Sequence, residues 1–209
     1  MISGSFVASL LFTDALDYSD FDLYFSSKKD LNRAIKLLKE SNQFELHFKS
    51  NHALTYSHVK TKDKVQIIKK LHKTPHHLVY AHDFYNCGVA YCSKQHAFYV
   101  SQEAIKAWAN NQLVLNKTPL DSNHLPKLHF FQTITILSKR IEKYSSRYTL
   151  VLDEVSKARF SDYKQKCIYL LGTYSQPTDI LEPIDYSGSI YSFAEFVYNE
   201  IYMHELRRV

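Results

Sequence analysis

The chain has 209 residues, 45% hydrophobic and 22% charged, a balance that excludes a largely disordered protein. Its 26 Lys and Arg against 21 Asp and Glu give a formal charge of +5, which favours a polyanionic partner, and no run of five like charges marks a basic tail. Cys87, Cys92 and Cys167 form no close Cys-x-x-Cys pair, which argues against a disulfide framework or Cys-rich zinc site and for a reducing cytoplasm. No apolar stretch approaches the roughly 20 residues that span a bilayer, and the first residues do not read as a signal peptide.

Phe6 to Phe12 is short and apolar and predicts a helix just after Gly4-Ser5. Phe21 to Phe25 alternates in residue type and predicts a strand. Ser27-Lys28-Lys29-Asp30 has the form of a capping box. Leu31, Ala34, Ile35 and Leu38 then recur at helical spacing, predicting a helix whose apolar stripe packs on the sheet. Further strands are predicted over Phe44–Phe48, Ala53–Tyr56 and Val65–Ile68. Pro75 opens a short helix running to about Ala81. Gly88–Tyr91 and Ala97–Val100 predict a hairpin, and Ser101 caps a helix over Glu103–Ala109.

After Leu115 the character changes. Asn116 to Lys127 contains Pro119, Pro126 and several polar residues and marks a boundary. Beyond it, Phe130, Ile134, Leu137, Ile141 and Tyr144 predict a long amphipathic helix. Phe193, Val197 and Ile201 predict a closing helix over Ser192–Leu206. The expected architecture is an α/β (α+β) domain with a mixed sheet over residues 1–115 and a mainly helical region over 116–209.

The chemistry sits near the start. Asp20 and Asp22 are two apart on a predicted strand, so both carboxylates leave the same face. Mg²⁺ is a hard cation that takes carboxylate and water oxygens. A pair of carboxylates can bridge two such ions roughly 3.5–4 Å apart, the arrangement that phosphoryl and nucleotidyl transfer use to hold attacking and leaving oxygens in line. Gly4 admits a phosphate close to backbone N–H groups, and Ser5 starts a helix whose N-terminus favours anions. The Ser5 hydroxyl is a further donor to phosphate. Gly is scarce, with four in the chain, which makes Gly4 more telling.

Together these residues resemble the DNA polymerase beta-like nucleotidyltransferase superfamily. Its signature is an apolar residue, Gly-Ser or Gly-Gly, a short helix, and Asp-x-Asp on a strand. Here the match is Ile2, Gly4-Ser5 and Ser19-Asp20-Phe21-Asp22-Leu23, and it covers about the first 90 residues. The resemblance implies a third carboxylate, matched best by Asp83 in His82-Asp83-Phe84. It implies that Asp20, Asp22 and Asp83 hold two Mg²⁺ ions, with Mn²⁺ as an alternative, and that Gly4 and Ser5 hold the phosphates of an NTP. Two features depart from the pattern. Fourteen residues, Phe6 to Ser19, separate Ser5 from Asp20, at or beyond the long end of the usual gap, and only Met1, Ile2 and Ser3 stand where a strand normally leads into the turn. Asp14 and Asp17 lack a strand context and read as loop residues.

The expected reaction moves a nucleoside monophosphate from an NTP to a hydroxyl and releases pyrophosphate. RNA, in particular a tRNA 3′ end, is the expected acceptor, from the positive charge and the 16 Tyr and 13 Phe. The alternatives are a toxin- or antitoxin-type enzyme that modifies a protein hydroxyl, and an inactive nucleotidyltransferase fold that binds without turnover. Lys69, beside Lys70 after the Val65–Ile68 strand, and Arg140 and Lys143, with Arg147 on the long helix, are expected to contact phosphates. Tyr18, Tyr24, Tyr56 and Tyr85 lie near the motifs, where one is expected to stack on a base. His72, His76, His77 and His82 form no recognisable zinc pattern, because Pro75 interrupts the helix that would align the first two.

Overall fold

The computed structural model describes residues 1–13, 18, 20–116, 118–121 and 127–172. Asp14, Asp17, Ser19 and the expected helix over Ser192–Leu206 lie outside the described residues. The fold is mixed α/β, and the chain divides into two compact units, Met1–Asn110 and one beginning at Asn111.

The first unit is built outward from a very short strand. Ile2–Ser3 forms β1, although only three residues precede Gly4. Two flanking strands support it, β2 (Phe21–Leu23) and β6 (Val89–Cys92), both antiparallel to it. Backbone bonds between Met1 and Tyr24, at 2.8 and 2.9 Å, extend the β1–β2 ladder by one more pair. A two-residue strand holds because both of its edges are paired, so its polar backbone groups find partners inside the sheet. Gly4 then turns the chain into α1 (Ser5–Phe12).

From β2 the chain crosses through α2 (Lys28–Glu40) and the antiparallel pair β3 (Phe44–Lys49) and β4 (Ala53–His58) into β5 (Lys64–Ile68). β5 returns parallel to β2. α3 (Pro75–Val79) leads to β6, which forms a hairpin with β7 (Ala97–Val100), and α4 (Gln102–Ala109) closes the unit. The sheet order is β3-β4-β5-β2-β1-β6-β7.

Local signals placed these helices. The Ser27 hydroxyl accepts from the Asp30 N–H and donates to its carboxylate, Thr74 caps α3 through the His77 N–H, and Ser101 caps α4 through the Ala104 N–H. Leu31, Ala34, Ile35 and Leu38 of α2 pack with Leu54, Tyr56 and Ile67 of the sheet. Val7 and Ala8 of α1 and Ala104 of α4 pack around Val89 and Ile2. On the other face, Leu78 and Val79 of α3 cover Ala90 and Tyr99.

His72 is buried with its ring edge-on to Tyr24 at 5.5 Å. Burial, reinforced by Lys70 and His77, holds its ring below the ordinary value of 6.5. The folded chain therefore resists a proton that the unfolded chain accepts. Stability is full above the unfolded value, falls as the pH drops through about 6.5, and levels off below the folded value. The expected result is a lower urea midpoint at about pH 5.5 than at about pH 7.5, with that difference reduced in His72→Phe.

The second unit contains a parallel strand pair, β8 (Gln112–Leu113) and β9 (Val151–Leu152), with α5 (Lys127–Tyr148) and α6 (Glu154–Gly172). Phe130, Ile134, Leu137 and Ile141 form the buried stripe of α5 expected from their spacing, and Tyr144 is half-buried. Arg159 of α6 ties down the segment after β8. It donates to the Leu115 and Asn116 carbonyls and to both oxygens of Asp121, which also accepts from Tyr163. No helix among the described residues is long and apolar enough to cross a membrane.

Candidate nucleotide site

Strand register assembles a polar row across the sheet. Thr55 of β4 pairs with Gln66 of β5, Gln66 with Asp22 of β2, and Asp22 with Ser3 of β1. Residues in register on adjacent strands project to the same face, so these four side chains form one line. The residues on either side, such as Leu23, Ile67 and Leu54, project to the opposite face, where Ile67 and Leu54 pack against α2. Asp20 precedes β2 by one residue, and period-two alternation puts it on the side of Asp22.

The Asp22 carboxylate is seated on Gly4. Gly4 has φ of +89°, and a Cβ there would lie 2.8 Å from Asp22 Oδ2. Both the backbone angle and the space require glycine. Gly4 is also the N-cap of α1, so the carboxylate stands at the positive end of that helix. Ser5, the first helical residue, is buried.

Three aromatic rings pack together around Phe21, whose side chain alternates with those of Asp20 and Asp22. Phe6 of α1 packs against Tyr18 at 5.0 Å and Phe21 at 4.4 Å, and Tyr18 meets Phe21 at 4.8 Å. Tyr56 is 1% exposed and belongs to the core, so it is not placed to stack on a base. Tyr24 packs against the rings of His72 and His82.

Asp83 lies in the bend between α3 and Phe84 rather than on a strand. That bend is tied to the site through its neighbour. His82 Nε2 is 2.7 Å from the Ser3 hydroxyl, which donates its single hydrogen to the Val89 carbonyl. Nε2 must then be the donor, which fixes the His82 tautomer. Among the described residues, no group of three or more His, Cys, Asp or Glu side chains is placed to hold a metal ion. Asp20 and Asp22 carry hard carboxylate oxygens, the donor type that Mg²⁺ takes.

The expected phosphate contacts are distributed as follows. Lys69 follows β5, and its Nζ donates to the Ser50 carbonyl near the β3–β4 turn. Arg140 and Lys143 are on α5 in the second unit, Arg140 exposed and Lys143 half-buried with its Nζ 5.9 Å from the Tyr144 ring centre. Sequence spacing did not reveal Gln66 or His82 as neighbours of the site. The only signal was the alternation of Val65-Gln66-Ile67, which put a polar residue on the polar face without giving its register.

Solved structures of similar fold include tRNA-processing enzymes and a CCA-adding enzyme. A tRNA-processing enzyme with CTP superposes with a TM-score of 0.53 at 9% identity, covering 98% of this chain and 53% of that one. The same type of enzyme in an apo form gives 0.52 at 9% identity, covering 97% and 52%. A CCA-adding enzyme in complex with ATP gives 0.51 at 15% identity, covering 82% and 41%. The chain thus spans about half the length of these structures or less, and at these identities the likeness is one of fold. No curated protein matches the sequence. The Gabija anti-defense 2 (Gad2) family matches residues 1–111, the stretch that carries Gly4, Asp20, Asp22 and Asp83. With more than half of its 209 residues matched, this chain belongs to the Gabija anti-defense 2 family.

Proposed function

We propose that the site is a metal-dependent nucleotidyl-transfer site of the polymerase beta-like type. It would move a nucleoside monophosphate from an NTP to an acceptor hydroxyl. The observation that carries this reading is the Asp22 carboxylate seated on Gly4 at the N-terminus of α1. It is supported by a fold shared with structures described as bound to ATP and CTP.

In this reading the α1 N-terminus, with Gly4 and Ser5, receives the β and γ phosphates of the NTP. Asp20 and Asp22 would hold Mg²⁺, or Mn²⁺ in its place, and the bound ion would supply charge neutralisation at the phosphate oxygens. The acceptor oxygen bonds to the α-phosphorus, and the bond between the α-phosphorus and the bridging oxygen breaks. Pyrophosphate leaves with that electron pair, and the acceptor loses its hydroxyl proton. Asp83 enters the proposal as the acceptor-side carboxylate that takes this proton. Lys69, Arg140 and Lys143 enter as cations for phosphate groups of nucleotide or acceptor. The compartment proposed is a reducing cytoplasm, which suits the free thiols of Cys87, Cys92 and Cys167.

The acceptor proposed first is RNA, including a tRNA 3′ end. This follows the net positive charge of the chain and the description of two structural neighbours as tRNA-processing enzymes. A second reading is favoured by the family itself. A protein that counters a Gabija defence has reason to modify a hydroxyl on a defence protein. Incubation with each α-labelled NTP, Mg²⁺ or Mn²⁺, and pools of RNA or protein separates the two. Label on RNA supports the first, and label on protein supports the second. No transfer from any NTP, with Asp22→Asn indistinguishable from the parent, contradicts both and leaves a binding module.

A further inference from the structure

β2 has two neighbours in the sheet, β1 and β5. A carboxylate set directly beside Asp22 by strand register has to come from one of them. β1 supplies Ser3 and β5 supplies Gln66. Neither strand contains an Asp or Glu, and neither does β6, one strand further on. The polar position beside Asp22 on the parallel strand is therefore an amide.

Gln66 is held in place. Its Nε2 donates to the Thr55 hydroxyl at 3.2 Å, and Thr55 is itself buried on β4. That bond leaves Oε1 as the end of the amide available to a ligand. An amide oxygen is a hard but neutral donor, so it adds coordination without adding charge.

The charge on this face follows. Cation affinity in oxygen sites rises with the number of carboxylate ligands. Two adjacent divalent ions repel each other, and the nucleotide phosphates together with the protein carboxylates must offset that repulsion. With an amide beside Asp22, the negative charge that the described strands bring to this face comes from Asp22, joined by Asp20 one residue before β2. We infer that Gln66 is the positioning residue that sets the cation count: the site takes a single divalent ion with its nucleotide, where a carboxylate at that position would admit a second. This inference rests on the nucleotide site proposed above. It assigns to Gln66, through its neutral charge, a role in the site's metal demand.

The test reads stoichiometry and does not depend on turnover. The full chain is titrated with Mn²⁺ in the presence of an α,β-methylene ATP analogue, and free Mn²⁺ is followed by its paramagnetic resonance signal. The parent chain is expected to bind a single Mn²⁺ that depends on the nucleotide. Gln66→Glu is expected to bind a second, with the affinity of that step raised on the order of tenfold. Thermal unfolding establishes that the variant is folded. Gln66→Asp serves if it is not, and the parent stoichiometry decides even without a variant. Two ions on the parent, or a folded Gln66→Glu that binds no more than the parent, overturns the inference and leaves the nucleotide site standing. Binding of neither Mn²⁺ nor nucleotide to the parent removes the site and the inference together.

Discussion

Asp22→Asn is expected to lower nucleotidyl transfer by at least about 100-fold while leaving thermal unfolding little changed. The substitution keeps the shape that sits over Gly4 and removes one negative charge from the cation site. The loss therefore falls on the chemistry rather than on the sheet, where the β1–β2 backbone register between Ser3 and Asp22 does not depend on that charge. Asp20→Asn is expected to act in the same direction. Asp83→Asn is expected to cost less, about tenfold, because Asp83 stands in a bend outside the strand row and water is an alternative acceptor for a hydroxyl proton. Single-turnover transfer measured for the three variants at saturating NTP checks this ordering. Equal losses at Asp83 and Asp22 would place both carboxylates on the same ion.

The second large effect is at Gly4. Gly4→Ala puts an L side chain at a φ of +89° and a Cβ 2.8 Å from Asp22 Oδ2. The backbone strain costs about 1–2 kcal/mol, and the carboxylate must move aside. Nucleotide affinity is expected to fall by at least roughly tenfold, together with a drop in the urea midpoint. Gly88→Ala is the matched control. A Cβ there meets the Tyr85 and Val79 carbonyl oxygens at 2.8 Å, away from the carboxylates. It is expected to lower stability and to leave nucleotide affinity in the folded fraction unchanged. If the two substitutions weaken nucleotide binding equally, Gly4 has no special part in the site.

Much of the first unit was readable from residue types because its signals are local. The Ser27–Asp30 cap, the α2 stripe from Leu31 to Leu38, the Pro75 helix start and the Val89–Val100 hairpin each depend on residues within one or two turns of each other. The Gly-Ser turn and Asp-x-Asp strand were readable for the same reason. What could not be read depends on pairing between distant residues. Ile2–Ser3 is too short to announce a strand, and it exists because Leu23 and Tyr91 arrive on either side of Ile2. Gln66 stands beside Asp22 because a crossover of about 40 residues returns β5 parallel to β2, and a one-residue change of register would have moved it to the opposite face. The Ser3–His82 bond spans 79 residues, so nothing near either one hints at it.

Nucleotide binding at Gly4, Asp20 and Asp22 is expected to depend on a divalent cation. The most direct measurement is equilibrium binding of a fluorescent ATP or CTP analogue to the parent chain and to the Asp20→Asn/Asp22→Asn double variant, with Mg²⁺ present and then with it removed by chelation. A cation-dependent site at these residues gives saturable binding to the folded parent chain that is lost on chelation and absent from the folded double variant. Binding of the same strength to both proteins, with or without Mg²⁺, would contradict it.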